Sequence, residues 1–125
     1  MSEQKKKVAL VADDSSTIRK LISLTLKSRG TKVVTASDGM EALELLPTLD
    51  VDLIITDLNM PNIDGYEFIR IVRENDYYQD VPIIILSSEK ETEDIERGIA
   101  AGANSYLVKP FVPEKLQSEV EKYLS

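Results

Sequence analysis

Short apolar runs alternate with helical patterns five times along this chain, and that alternation leaves few folds open. The runs are Val8-Ala9-Leu10-Val11-Ala12, the shorter Lys32–Ala36, Leu53-Ile54-Ile55-Thr56, Ile83-Ile84-Ile85-Leu86 and Tyr106-Leu107-Val108. Runs this short and this rich in β-branched residues are expected to be strands buried on both faces of a parallel sheet. Between them the apolar residues change to helical spacing. Ile18, Leu21, Ile22 and Leu26 share one face after a cap at Ser15 or Ser16, and Gly30 stops that helix. Asp38-Gly39 starts a second helix carrying Ala42, Leu43 and Leu46, which Pro47 should end. Phe68, Ile69 and Val72 predict a helix over 66–75, a further helix spans 91–101 before Gly102, and Pro113 opens a last helix reaching Leu124. Strand and helix alternating without a break predict a parallel sheet with helices on both faces.

Open parallel sheets bind ligands beyond the carboxyl ends of their strands. Five polar side chains stand just past these runs: Asp13 and Asp14 after the first, Asp57 after the third, Ser87 after the fourth and Lys109 after the fifth. Lying side by side, the strands would bring three carboxylates, a hydroxyl and an ammonium into one cleft suited to a divalent cation and a phosphoryl group. Adjacent Asp13 and Asp14 repel each other unless a cation or lysine is close. Hard oxygen ligands of this kind favour Mg²⁺. Asp57 follows a buried strand and precedes a turn rich in breakers, Asn59, Pro61, Asn62, Asp64 and Gly65. Asp64 reads as the cap of the next helix, and Asp57 as a nucleophile, since carboxylates form acyl phosphates. Lys109 precedes Pro110, and a cis bond there would aim the ammonium back across the cleft. Ser87 and Ser88 by themselves are ordinary turn residues, Asn104 and Ser105 likewise, and Tyr106 reads as a buried or half-buried strand residue.

Composition excludes several classes. At 125 residues the chain has the size of one domain, with a core of about 7–124. The sequence ends as its last helix ends, so a single domain is expected within it, though a longer protein trimmed to these boundaries would look the same. No apolar run approaches the roughly 20 residues of a membrane span, and the start through Lys5-Lys6-Lys7 is too polar for a signal peptide. The three lysines read as a solubilising lead-in. With no cysteine there are no disulfides, which fits a reducing cytoplasm. A net charge of −7 and no basic recognition helix disfavour direct contact with nucleic acid. With no histidine, the chain has no imidazole for acid–base work or zinc, and any phosphohistidine in its chemistry belongs to a partner.

These residues, in this order, resemble a known family. Asp13-Asp14, Asp57-x-x-Met60-Pro61-x-x-Asp64-Gly65, Ser87 and Ala101-Gly102-Ala103-x-x-Tyr106-Leu107-x-Lys109-Pro110-Phe111 are similar to the receiver domains of two-component response regulators, single-domain chemotaxis regulators above all. The resemblance implies a flavodoxin-like, doubly wound five-stranded sheet of order 2-1-3-4-5. It implies that Asp57 accepts the phosphoryl group. Asp14 and Asp57 would bind Mg²⁺ directly, the Asn59 main-chain carbonyl would be a third protein ligand, and Asp13 would act through a water. Ser87 and Lys109 would contact the phosphoryl group, and Ser87 with Tyr106 would form a switch. Serine in place of the commoner threonine at 87 loses a methyl group, which loosens that switch. Asn59 and Glu89 would tune the lifetime of the phosphoryl mark toward a transient one. Pro47 departs from the usual pattern and puts the length of the second helix in question.

The implied partners are a histidine kinase and a downstream protein that reads the fourth helix, fifth strand and fifth helix, about 91–124. The alternatives are a phosphorelay intermediate, a receiver cut from a larger regulator, a receiver fold that takes no phosphate, or an aspartate-nucleophile phosphatase. The last is disfavoured because such enzymes carry an acid two residues past the nucleophile, where Asn59 stands.

Overall fold

The computed structural model describes residues 6–88 and 92–124. Five strands, β1 (Val8–Ala12), β2 (Lys32–Ala36), β3 (Leu53–Asp57), β4 (Ile83–Ser87) and β5 (Ser105–Val108), form one sheet of order β2-β1-β3-β4-β5. Every pairing is parallel, as uninterrupted apolar runs require. β3 and β4 are buried along their whole length, whereas β2, at one edge, is mostly part-exposed.

Helices α1 (Ser16–Lys27) and α5 (Pro113–Leu124) cover one face; α2 (Gly39–Leu45), α3 (Gly65–Glu74) and α4 (Thr92–Ala101) cover the other. Alternate strand residues serve the two sides. Ala9, Val11, Leu53, Ile55, Ile84 and Leu86 pack with Ile22, Leu26, Leu116 and Val120, while Leu10, Ile54, Ile83 and Ile85 pack with Ala42, Phe68, Ile69 and Val72.

Local chemistry sets the helix ends. Ser15, rather than Ser16, caps α1 by accepting from the Ile18 amide, Asp38 caps α2 through the Glu41 amide, and Asp64 caps α3 through the Glu67 amide. Pro47 does end α2, in a 3-10 turn over Leu46–Thr48 that leaves the helix seven residues long. A second 3-10 turn, Asp76–Tyr78, follows α3 and has no clear signal in the apolar pattern. β3 and β4 run one residue beyond their apolar runs and include Asp57 and Ser87 themselves. Pro82 lacks a ladder donor, so β4 starts after it.

Candidate functional site

At the carboxyl edge of the sheet, three strand ends bring acidic and basic groups together. β1 lies between β2 and β3, and its register pairs Ala12 with Thr56, one residue short of both Asp13 and Asp57. Carboxylate oxygens of Asp13, Asp14 and Asp57 all lie within 4.8 Å of one another. Asp13 and Asp57 are buried and Asp14 is exposed at the mouth of the cleft.

Lys109 reaches across from β5 to this cluster. Its Nζ stands 2.8 Å from Asp13 Oδ2 and 3.3 Å from Asp57 Oδ2. The Lys109–Pro110 bond is cis, and the Lys109 amide donates to the Ser87 carbonyl at 2.8 Å. Asp13 Oδ1 accepts from the Ser15 amide at 2.8 Å, whereas Oδ2 has no aligned hydrogen-bond donor and relies on the charge of Lys109. Asp57 Oδ1 accepts from the Leu58 amide at 2.8 Å and more weakly from the Asn59 amide at 3.4 Å. The main chain thus fixes the carboxylate and leaves Oδ2 facing Lys109.

Burial raises the pKa of Asp57 above its ordinary value, the negative charge of Asp13 adds to this, and Lys109 opposes it in part. Burial by itself would lower the pKa of Lys109, but its close contact with Asp13 and the charges of Asp57 and Asp13 outweigh that and raise it. Lys109 is therefore a fixed cation. Three carboxylates against one ammonium still leave two negative charges. The donors are all hard oxygens, one oxygen of the buried Asp13 lacks a proper hydrogen-bond donor, and a single divalent ion would complete the charge balance; this donor set fits Mg²⁺.

Ser87 is fully buried at the end of β4. Leu86 is the register partner of Asp57, so Ser87 stands one residue further along the neighbouring strand. Asn59 is exposed in the β3–α3 loop. Tyr106 is not in the cluster: it is 45% exposed on β5, and it faces a groove with Ile99, Phe111 and Lys115. It stands on the last strand, at the sheet edge. Glu89 lies outside the described residues.

Three supporting residues were not legible in the sequence. Arg19 Nη1 donates to the Asp13 carbonyl at 2.7 Å. Arg73 donates to the carbonyls of Gly102 and Tyr78 and to Asn104 Oδ1, which also accepts from the Ile83 amide. Asn104 is thus a hinge pin between β4 and β5 rather than a turn residue only. Ser105 likewise opens β5, with its hydroxyl donating to Glu119. An arginine on an amphipathic helix reads as a solvated charge, so nothing in the pattern marked Arg19 or Arg73.

The response regulator receiver domain profile matches residues 9–121. A chemotaxis protein CheY homolog of Campylobacter jejuni is 42% identical over 117 residues, covering 92% of this chain and 90% of that protein. The solved chemotaxis response regulator CheY4 of Vibrio cholerae superposes with a TM-score of 0.91 at 41% identity, over 96% of this chain and all of that one. The receiver domain of the Pseudomonas aeruginosa sensor histidine kinase PA1611, solved with a magnesium ion coordinated in its active site cleft, gives a TM-score of 0.87 at 30% identity, over 95% and 98% of the two chains.

Proposed function

The chain belongs to the response regulator receiver domain family, and from that premise we propose that it is a phospho-accepting signalling switch whose acceptor is Asp57. The observation that carries this reading is the placement of Asp57, buried at a strand end beside Asp13, Asp14 and the Lys109 ammonium. It is a switch rather than an enzyme acting on a separate substrate, though its own residues promote both gain and loss of the phosphoryl group.

Asp13, Asp14 and Asp57, with the Asn59 carbonyl, would hold Mg²⁺, as the related receiver domain of PA1611 holds one in its cleft. When bound, the ion neutralises phosphoryl oxygens and offsets the remaining site charge. In the reaction itself an Asp57 oxygen attacks phosphorus in line. The P–O bond to Asp57 forms as the P–N bond of the partner's phosphohistidine breaks, and the imidazole leaves with the electron pair. Lys109 meets the charge on the transferred oxygens and Ser87 supplies a hydroxyl toward them. The main-chain bond to Asp57 Oδ1 keeps the carboxylate from rotating during attack.

Burial serves the chemistry in a second way. The proton affinity it adds to Asp57 marks a carboxylate whose charge is poorly solvated, and such a carboxylate attacks at lower cost than a hydrated one. Loss of the mark is hydrolysis of the acyl phosphate by water, and Asn59, exposed two residues beyond Asp57, would orient that water. Glu89, two residues beyond Ser87 in the sequence, takes the equivalent role, and the resulting mark is transient.

A histidine kinase is the phosphoryl donor, and the output partner reads the surface of α4, β5 and α5. Tyr106 is exposed on that surface and Ser87, joined to it through adjacent strands, is buried at the site. Movement of the hydroxyl toward phosphate and of the ring inward would couple the two. The protein works in the cytoplasm, and among the described residues no helix is long and apolar enough to cross a membrane.

Incubation with acetyl phosphate and Mg²⁺ should yield a phosphoryl adduct by intact mass spectrometry, and Asp57→Asn should yield none. Equal labelling of the variant and the unsubstituted protein would remove Asp57 from the role of acceptor.

A further inference from the structure

Asp38 and Asn62 belong to different loops, and nothing in the sequence links them. In the structure Asn62 Nδ2 donates to Asp38 Oδ2 at 2.8 Å, while Asp38 Oδ1 caps α2 by accepting from the Glu41 amide at 2.8 Å. One carboxylate therefore serves two elements. The contact lies between two pieces of the metal site. On one side, the Asp13 amide donates to the carbonyl of Ala36, two residues before Asp38. On the other, Asn62 stands at the tip of the β3–α3 loop that carries Asn59.

Met60 and Ile63 of this loop pack against the core, and its main-chain hydrogen bonds lie near its base. The Leu58 amide bonds Asp57 Oδ1 and the Gly65 amide bonds the Leu58 carbonyl, both at the ends of the loop. At its tip, Gly39 sits so close that a Cβ there would lie 2.5 Å from the Ile63 carbonyl oxygen. Asn62 itself has φ 69°, the left-handed region that asparagine tolerates better than most residues. Besides the packing of Ile63, the tip is thus seated against the start of α2 by a side-chain hydrogen bond and a close backbone approach.

Resting on the reading of Asp57 as acceptor in a Mg²⁺ site, we infer that Asp38 and Asn62 are positioning residues of that site. Their hydrogen bond holds the β3–α3 loop, and with it the Asn59 carbonyl, at a set distance from Asp13 and Asp14. The bond is exposed, so it adds little to stability. Its effect falls on the geometry of the ligands, because hard-ligand sites for Mg²⁺ tolerate little displacement.

The test is calorimetric titration of the unphosphorylated protein with magnesium chloride. Asn62→Gly keeps the positive φ and loses the amide. Asp38→Ser keeps a helix cap and loses the second oxygen. Asp38→Asn removes the same charge as Asp38→Ser but lets the introduced amide donate to Asn62 Oδ1. Asn62→Gly and Asp38→Ser should each weaken Mg²⁺ binding about tenfold, the double variant should lose no more than either, and Asp38→Asn should stay within about twofold of the unsubstituted protein.

Unchanged affinity in Asn62→Gly overturns the inference, as does a double variant whose losses multiply. Equal weakening by Asp38→Asn and Asp38→Ser also overturns it, since charge and not the hydrogen bond would then be responsible. These outcomes leave the acceptor reading intact. Failure of the unsubstituted protein to bind Mg²⁺ would instead overturn the metal site and this inference together. Circular dichroism and urea unfolding of each variant separate a lost ligand geometry from a lost fold.

Discussion

On one face of the sheet, α1 and α5 are twelve-residue helices seated by aliphatic side chains, Ile22 and Leu26 from one and Leu116 and Val120 from the other. On the opposite face, α2, α3 and α4 are shorter and come closer. A Cβ at Gly65 would lie 2.2 Å from the Asp57 carbonyl oxygen, one at Gly98 would lie 2.1 Å from Ile85 Cδ1, and one at Gly39 would meet the Ile63 carbonyl. Polar latches finish that second face: Arg73 on the Gly102 carbonyl, and Arg97 stacked 3.9 Å over the Tyr66 ring. The first face resists change because many interchangeable dispersion contacts share the load. The second face is set by a few close approaches, of which those at Gly39 and Gly65 meet backbone and leave no room for a side chain, and it is the one that carries the β3–α3 loop and α4. Geometry at the phosphorylation site is therefore expected to depend on one face far more than on the other.

Gly65→Ala gives the hardest test of that asymmetry. The added methyl has only backbone to push against, so the protein should lose roughly 3 kcal/mol of stability, and Mg²⁺ affinity should fall by more than about tenfold as the loop shifts. Urea unfolding and Mg²⁺ titration on one preparation read both. Retained metal affinity in a destabilised Gly65→Ala protein would break the comparison.

Leu26→Ala is its counterpart on the α1/α5 face. Leu26 is 1% exposed, and its truncation should cost about 2–4 kcal/mol. Mg²⁺ affinity below the unfolding transition should be unchanged. A variant that loses metal binding as steeply as Gly65→Ala would show that both faces hold the site equally.

The smallest effect is electrostatic. The folded-state pKa of Asp57 lies above its ordinary value of 3.8, first because of burial and then because of Asp13. The folded protein therefore holds that proton more tightly than the unfolded chain. Ionising Asp57 costs stability as pH rises from below the ordinary value through the folded one, after which the penalty is constant. Asp57→Asn should remove this fall when stability is measured against pH in the presence of EDTA. An identical profile for the two proteins would mean that Asp57 is not destabilised by its surroundings. Added Mg²⁺ should shrink the difference, since the ion favours the ionised carboxylate.

Much of the architecture could be read from the chain because its elements are locally encoded. Apolar runs of three to five residues named the strands, and Ser15, Asp38 and Asp64 marked helix starts by a mechanism that acts over three residues. Asp57, Asp13, Asp14 and Lys109 could be chosen because each stands at the end of a run that had to be buried. The sequence places Tyr106 on the right strand, but its exposure depends on β5 lying at the sheet edge.

By itself, then, the sequence determined a parallel α/β sheet, the strand ends that carry charge, and the absence of any imidazole or thiol to do other chemistry. Those are matters of residue type and short-range period. Only the tertiary structure decided that Lys109 neutralises Asp13 at 2.8 Å, that Arg73 ties α3 to the β4–β5 connections, and that Asp38 meets Asn62 across 24 residues. Such contacts join residues whose local preferences are silent about each other. They exist because close packing of the sheet and helices leaves one place for each side chain to go.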